Sequence, residues 1–243
     1  MIPPHPHDLH PAPRRAGTDG SQPSLPAAVL WDMDGTLVNT EPYWISAETE
    51  LIESFGGTWS HEEALQLVGS GLFASARILQ AKGVDLPEAD IIDRLTDRVL
   101  EQLVEFGIPW RPGARELLVE LRENGIPTAL VTMSISRMAH HIADRLGFVG
   151  FDAVVSGDDV VQSKPHPEPY LRGAELLGVD PADCVSIEDS EPGIRSARAA
   201  GAVVIGVPFM VDLPDDVAHV LWPTLGGRTL ADLAGVLQTV AAR

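Results

Sequence analysis

The alternation of short apolar segments with helix-length segments after residue 113 places the strongest limit on the fold of this chain. Residues 127–132, 151–155, 183–187 and 202–207 are apolar runs of strand length, and the stretches between them have helical periodicity and end at glycine. Strands that alternate with such helices form a parallel sheet, because each helix returns the chain to the start of the next strand. The sequence therefore predicts an α/β fold with a doubly wound, Rossmann-like parallel sheet.

A further apolar run, residues 27–31, precedes this region and is typical of a strand buried on both faces. It ends at Asp32 and Asp34, and Gly35 and Thr36 follow directly. Residues i and i+2 of a strand point to the same side, so two carboxylates meet there at a cost that a cation or a proton relieves. Asp and Gly are also ordinary turn residues, so this stretch alone leaves a turn and a functional site equally open.

The segment between this strand and the alternating region is helical throughout. Residues 42–106 carry apolar residues at helical spacing, and Ser60 with Glu63 is spaced as a capping box for a short helix. We therefore predict an all-helical cap domain at 42–106, inserted into an α/β core made of residues 26–41 and 107–243. Residues 1–25 are rich in proline and histidine, and we predict that they form a disordered tail.

The charge and cysteine content exclude several classes of protein. The chain has 17 basic and 35 acidic residues, a net charge of −18, which argues against binding nucleic acid or an anionic membrane. No apolar run approaches the roughly 20 residues that span a bilayer. The single cysteine, Cys184, excludes an internal disulfide and suits a reducing compartment, so we expect a cytoplasmic protein. These features do not indicate an oligomeric state.

Polar side chains follow each predicted strand, at the edge of an open α/β sheet where ligands bind. The second predicted strand ends at Thr132, with Ser134 just after it, Lys164 lies in the loop after the third, and Glu188 and Asp189 follow the fourth. Taken singly, the hydroxyls and carboxylates are also typical helix caps, and the lysine is typical of a solvated surface. Together with the first carboxylate pair they could hold Mg²⁺ and a phosphoryl group, since Mg²⁺ prefers oxygen ligands.

These four motifs, in this order, resemble those of the haloacid dehalogenase superfamily, in the helical-cap (subfamily IA) branch of phosphatases and phosphomutases. The resemblance covers residues 27–222 and begins with Asp32-Met-Asp-Gly-Thr36. It implies that Asp32 is a nucleophile and Asp34 a general acid and base. It further implies that Thr132 and Lys164 contact the substrate phosphate, with Ser134 as an additional candidate.

The same resemblance implies a Mg²⁺ site formed by Asp32, the backbone carbonyl of Asp34, and Asp189, with Glu188 just outside the direct ligands. The expected function is a Mg²⁺-dependent phosphatase that acts on a small phosphorylated metabolite, a sugar phosphate, through an aspartyl-phosphate intermediate. Dehalogenases of the superfamily lack a carboxylate at the position of Asp34, so that activity is set aside.

Two other functions remain open from the sequence. A mutase similar to β-phosphoglucomutase needs basic cap residues for a second phosphate, and residues 67–73 are apolar or small where those are expected. A non-catalytic binding or regulatory protein could share the same fold, because a fold does not determine a function. The intact set of Asp32, Asp34, Lys164 and Asp189 favours the phosphatase over both.

Overall fold

The computed structural model of the protein describes residues 24–68 and 70–242. Its sheet contains six parallel strands in the order β3-β2-β1-β4-β5-β6. The strands are β1 (Ala28–Trp31), β2 (Thr128–Val131), β3 (Ala153–Val155), β4 (Cys184–Glu188), β5 (Val203–Gly206) and β6 (Val220–Leu221). The helices are α1 (Glu41–Ser54), α2 (His61–Leu65), α3 (Leu72–Ala81), α4 (Glu88–Phe106), α5 (Ala114–Glu123), α6 (Ser136–Asp144), α7 (Glu168–Leu177), α8 (Glu191–Ala199) and α9 (Leu230–Ala241).

Helices cover both faces of the sheet, and the central strand shows why. In β1, Ala28 and Leu30 belong to one apolar cluster, whereas Val29 and Trp31 belong to the other. The first cluster contains residues of α7 and α8, and the second contains residues of α5, α6 and α9. All four side chains are fully buried, as expected for a strand with period-two alternation between two apolar layers. The predicted doubly wound fold is confirmed.

Each strand boundary lies within two residues of the prediction, and two of the differences fall at the polar residues that follow the strands. The second strand ends at Val131, one residue before Thr132, and the fourth strand continues through Glu188. Glu188 stays in the strand because it pairs in register with Gly206 of β5. Cys184 is a buried free thiol in β4. Most of the predicted disordered tail lies outside the described residues.

Helices α1 to α4 lie between β1 and α5 in the chain and pack mainly on one another, α1 and α3 against α4. The predicted capping box is confirmed, because the Ser60 hydroxyl accepts from Glu63 N and the Glu63 carboxylate accepts from Ser60 N. The cap also contacts the core. Arg137 of α6 donates to Asp93 at 2.9 Å and to Asp97, both on α4, so ion pairs cross between the two parts. Across the described ranges, every helix is too short or too polar to span a membrane.

Candidate active site

Three adjacent strands bring the predicted site residues together. β1 lies between β2 and β4, with Trp31 in register with Leu130 on one side and Ile187 on the other. Asp32, Thr132 and Asp189 each lie directly after one of these strands, so their side chains meet at one edge of the sheet. All three are buried.

Lys164 joins the ends of these strands through its ammonium group. Its Nζ donates to Asp32 Oδ1 at 2.7 Å, to Glu188 Oε1 at 2.7 Å and to the Val131 carbonyl at 3.0 Å. Burial alone would lower the pKa of Lys164, but the carboxylates of Asp32 and Glu188 raise it well above its usual value. The lysine is therefore a charged group in the site and not the surface residue that its loop alone suggested.

Glu188 is saturated with donors. Besides Lys164, the Tyr170 hydroxyl donates to its Oε1 at 2.8 Å. Its Oε2 accepts from the Asp189 and Ser190 backbone N–H groups and from the Ser190 hydroxyl, at 3.0 to 3.2 Å. The α8 helix approaches closely, since a Cβ at Gly193 would lie 1.8 Å from Glu188 Oε1. A carboxylate with this many donors positions its neighbours and has little capacity left for a metal.

Unlike Glu188, Asp32 and Asp189 have carboxylate oxygens that are available to bind a metal ion. Carboxylate oxygens of Asp32, Glu188 and Asp189 all lie within 4.8 Å of one another. Among the described residues, Asp32 Oδ2 is buried without a hydrogen-bond partner, and the Asp189 side chain accepts from one side chain only, Thr36 Oγ1 at 3.2 Å. Gly35 permits this approach, because a Cβ there would lie 2.0 Å from Asp189 Oδ2. Hard oxygen donors with an unsatisfied buried atom suit Mg²⁺.

The electrostatics of the cluster also favour a cation. Burial raises the pKa of Asp32 to about 7, and the nearby Glu188 charge adds to the shift, against the opposing charge of Lys164. Burial, followed by the charges of Asp32 and Glu188, raises the pKa of Asp189 well above its usual value. Uncompensated negative charge in a buried site is costly, and a divalent cation removes that cost.

Asp34 is directed away from this cluster, towards the cap. Its Oδ2 accepts from the Ser134 hydroxyl at 2.7 Å and from the Thr132 hydroxyl at 3.3 Å. Its Oδ1 accepts from Trp44 Nε1 at 3.1 Å and from the Thr40 hydroxyl. The two aspartates of the opening motif thus have separate surroundings, one beside Lys164 and the other among hydroxyl and indole donors.

The hydroxyls and carboxylates that follow the strands do not cap the next helices, so that alternative interpretation is wrong. The N-cap of α6 is Ile135, so neither Thr132 nor Ser134 caps that helix. The N-cap of α8 is Ser190, whose hydroxyl accepts from Gly193 N at 3.2 Å, so Glu188 and Asp189 do not. The Thr132 and Ser134 hydroxyls contact Asp34 instead, and the Glu188 carboxylate contacts Lys164.

A cavity between core and cap is lined by further residues that were not predicted from the sequence. It is bounded on the core side by Asp32, Lys164 and Asp189, and on the cap side by Glu41 and Glu48 among others. Burial, then the charge of Asp34, raises the pKa of Glu41 to about 8, and burial raises that of Glu48 to about 7. Their spacing of seven residues on α1, directly after the Asp32 loop, was the available sequence signal, since it puts both on one helix face.

These raised pKa values predict how stability depends on pH in the metal-free protein. Asp32, Glu41 and Glu48 shift from ordinary values of 3.8 to 4.5 up to about 7 or 8, so the folded state binds more protons than the unfolded state. The stability that these three groups contribute is therefore fully present below about pH 4 and is lost as pH rises through 7 to 8. We expect the melting temperature in EDTA to fall by several degrees between pH 6 and pH 8, measured by scanning calorimetry. A melting temperature that stays level or rises over that range would contradict these shifts.

Taken together, the sheet, the acidic cluster and the cap define an enzyme of the Rossmann-like class whose site is covered by a helical insertion. The family model of haloacid dehalogenase-like hydrolases matches residues 26–201. The chain belongs to this family, in its helical-cap subfamily IA.

Relatives and solved structures agree with that assignment. Hexitol phosphatase B of Escherichia coli strain K12 is 32% identical over 222 residues, which cover 88% of this chain and 100% of that protein. Hexitol phosphatase A of the same strain is 36% identical over 196 residues, 76% of this chain and 84% of that protein. The crystal structure of CbbY from Rhodobacter sphaeroides in complex with phosphate has a TM-score of 0.79 and 30% identity, and covers 86% of this chain and 99% of that chain.

Proposed function

We propose that the protein is a Mg²⁺-dependent phosphatase that hydrolyses a small phosphorylated metabolite, a sugar or sugar-alcohol phosphate. The observation that carries this proposal is the contact of Lys164 Nζ with Asp32 Oδ1 at 2.7 Å, beside a second Asp32 oxygen that has no hydrogen-bond partner among the described residues. This arrangement holds one carboxylate in a fixed orientation and leaves it able to attack. The names of the hexitol phosphatase relatives support the substrate class.

In the first step Asp32 attacks phosphorus, and the bond from phosphorus to the leaving oxygen breaks. Asp34 gives its proton to that oxygen, so the product leaves as an alcohol and an aspartyl phosphate remains on Asp32. In the second step Asp34 takes a proton from water as the water attacks phosphorus. The bond from phosphorus to Asp32 then breaks, which restores the carboxylate and releases phosphate.

The remaining residues bind and neutralise the phosphoryl group. Lys164 supplies a fixed positive charge, and Thr132 and Ser134 supply hydroxyls next to Asp34. Asp32 and Asp189, with the backbone carbonyl of Asp34, are the proposed Mg²⁺ ligands, and Glu188 orients Lys164 from outside that set. The metal, when bound, supplies charge that stabilises the phosphoryl oxygens during transfer.

Hydrolysis is favoured over the mutase alternative by the cap side of the cavity. A mutase must hold a second phosphate there, which calls for cations. Among the described residues that line the cavity, Lys164 is the only cation, and Asp32 and Glu188 already engage it. The acidic composition supports a small-molecule substrate over nucleic acid or a membrane, and the reduced cysteine supports a cytoplasmic location.

Metal removal tests the proposal directly. The purified protein should release phosphate from at least one sugar or sugar-alcohol phosphate in the presence of Mg²⁺. With excess EDTA the rate should fall at least about 100-fold, since such catalysis depends chiefly on charge stabilisation of the phosphoryl group, and added Mg²⁺ should restore it. Phosphate release is measured with a molybdate assay. Full activity in EDTA would exclude the metal-dependent mechanism, and isomerisation without phosphate release would favour the mutase.

A further inference from the structure

A cluster of three charged side chains joins the cap to the core at the protein surface. Arg137, at the start of α6 in the core, donates to the Asp93 carboxylate at 2.9 Å, to the Asp93 carbonyl at 3.0 Å and to the Asp97 carboxylate. Among the ion pairs of the described residues, only these two connect α1 to α4 with the rest of the chain. We call this cluster, Arg137 with Asp93 and Asp97, the cap contact.

The two aspartates of the cap contact repel each other unless a cation lies between them. They are four residues apart on α4, so their carboxylates lie on one face of the helix. Arg137 contacts both and offsets the repulsion only while α4 lies against α6. When the cap moves away from the core, both carboxylates lose their shared cation. The cap contact therefore favours the closed arrangement.

The cap contact lies far from the segments where the chain passes between core and cap. These two segments are held together, since Asn39 N donates to the Pro109 carbonyl at 2.6 Å. Helix α4 ends beside them at Gly107, and Asp97 precedes Gly107 by ten residues, which corresponds to about 15 Å along the helix axis. A cap attached at that end can rotate about it as about a hinge, and the cap contact holds the part that would move most.

Closure of the cap brings together residues on both sides of the cavity. Leu95 lies between the two aspartates on α4 and lines the cavity, and Ser134 lines it from just before α6. Trp44 of α1 also belongs to the cap, and its Nε1 donates to Asp34 Oδ1 at 3.1 Å. Arg137 thus ties together two walls of the cavity, and the closed cap keeps an indole donor on the proposed general acid.

We propose that Arg137 is a positioning residue that holds the cap closed over the cavity through Asp93 and Asp97, and that closure therefore weakens as salt concentration rises. The three side chains are 37%, 66% and 63% exposed. Dissolved ions screen charges at such exposure, and pairs of this kind shift an equilibrium by about fivefold at most. The inference goes beyond the proposed function, because it concerns movement of the cap whatever reaction takes place beneath it.

The separation of cap and core is the first readout, and it needs no substrate. Nitroxide spin labels on Glu53→Cys in the cap and Asp144→Cys in the core, both exposed positions, report this separation by double electron–electron resonance. Cys184 is buried and stays unlabelled. At low salt the wild-type background should give one distance population, and either about 0.5 M NaCl or Arg137→Gln should add a longer one. A distance distribution that neither change alters would overturn the inference.

The rate of phosphate release at saturating substrate is the second readout, and this one rests on the proposed function. Because the substrate is already bound, salt no longer acts through capture of an anion, and kcat reports on closure of the cap. Arg137→Gln should lower kcat by up to about fivefold at low salt and by much less at about 0.5 M NaCl, where the wild type is itself slowed. A kcat that is unchanged or raised at low salt would overturn the positioning role.

Two further variants distinguish the cap contact from a merely structural arginine. Arg98→Gln removes an arginine that is 36% exposed and also pairs with two carboxylates, Glu50 and Glu101, but within the cap. It should leave the label distances and the salt dependence of kcat as in the wild type. Arg137→Asp/Asp97→Arg exchanges charges across the contact and should recover most of the closure that Arg137→Asp alone loses. Without that recovery, the assignment to the ion pairs is wrong.

The two readouts separate this inference from the proposed function. If no phosphate ester is hydrolysed but the label distances respond to salt and to Arg137→Gln as expected, the proposed function fails and the role of Arg137 stands. If phosphate esters are hydrolysed and the label distances do not respond, the phosphatase stands and the role of Arg137 is wrong.

Discussion

We expect the Asp32→Asn variant to lose about 10⁴-fold in kcat for phosphate release, the scale seen when a catalytic nucleophile is removed. Asparagine has nearly the same shape as aspartate but its amide is a poor nucleophile, so no aspartyl phosphate forms. The measurement is steady-state turnover of the best ester at saturating Mg²⁺. Asp85→Asn, an exposed aspartate between α3 and α4, is the matched control and should retain full activity.

This loss should occur in a folded protein. Burial raises the pKa of Asp32 to about 7, so its charge is costly in the folded state without metal, and a neutral amide removes that cost. The metal-free Asp32→Asn variant should therefore melt at the wild-type temperature or above it. A variant that keeps more than a tenth of wild-type turnover would show that Asp32 is not the nucleophile.

The second large effect is expected from Lys164→Met. Methionine fills similar volume but leaves Asp32 and Glu188 as buried carboxylates without their shared cation. Removal of one partner from a buried ion pair typically costs about 3–5 kcal/mol, and we expect the free energy of unfolding to fall by that amount. The measurement is urea denaturation followed by circular dichroism, with phosphate release as a second readout that should be nearly abolished.

Two variants control for this result. Lys82→Met removes a lysine that pairs with Glu63 at the surface, where its side chain is 44% exposed, and should cost at most about 1 kcal/mol. The double variant Lys164→Met/Glu188→Gln removes one of the two stranded charges and should regain part of the stability but none of the activity. A Lys164→Met protein as stable as the wild type would mean that the buried charges are compensated by other groups.

The sequence was sufficient to predict the sheet and to single out polar residues that lie together at its edge. Buried parallel strands are recognisable in the sequence as apolar runs. Their carboxyl ends lie at one edge of the sheet, whatever the conformation of the loops. Lys164 shows that one residue and its loop are not enough to predict a site, since this loop is typical of a surface position. It became a site candidate only because the flanking strands end in carboxylates.

The cap half of the site could not be predicted in the same way. Glu41 and Glu48 look like ordinary polar residues of an amphipathic helix, and which face of α1 turns to the core depends on how four helices pack together. The resemblance implied a position for Glu188 just outside the metal ligands, but its hydrogen bond with Lys164 could not be predicted. Ser190 and Glu188 are both common at helix starts, and only the approach of Gly193 and Tyr170 shows that one caps α8 while the other holds Lys164.

The central position of β1 in the sheet has a consequence for how activity is acquired. Leu30 pairs with Ala129 on one side and Ser186 on the other, so the strand that carries Asp32 is completed by segments far from it in sequence. The chain between Leu30 and Ala129 contains the whole cap, so the pairing of these two residues closes a long loop. Long-range pairings of this kind form late and slowly during folding, because loop-closure entropy is lost before the contacts compensate for it. We therefore expect enzyme activity to return after dilution from denaturant only when β1 has paired with both β2 and β4.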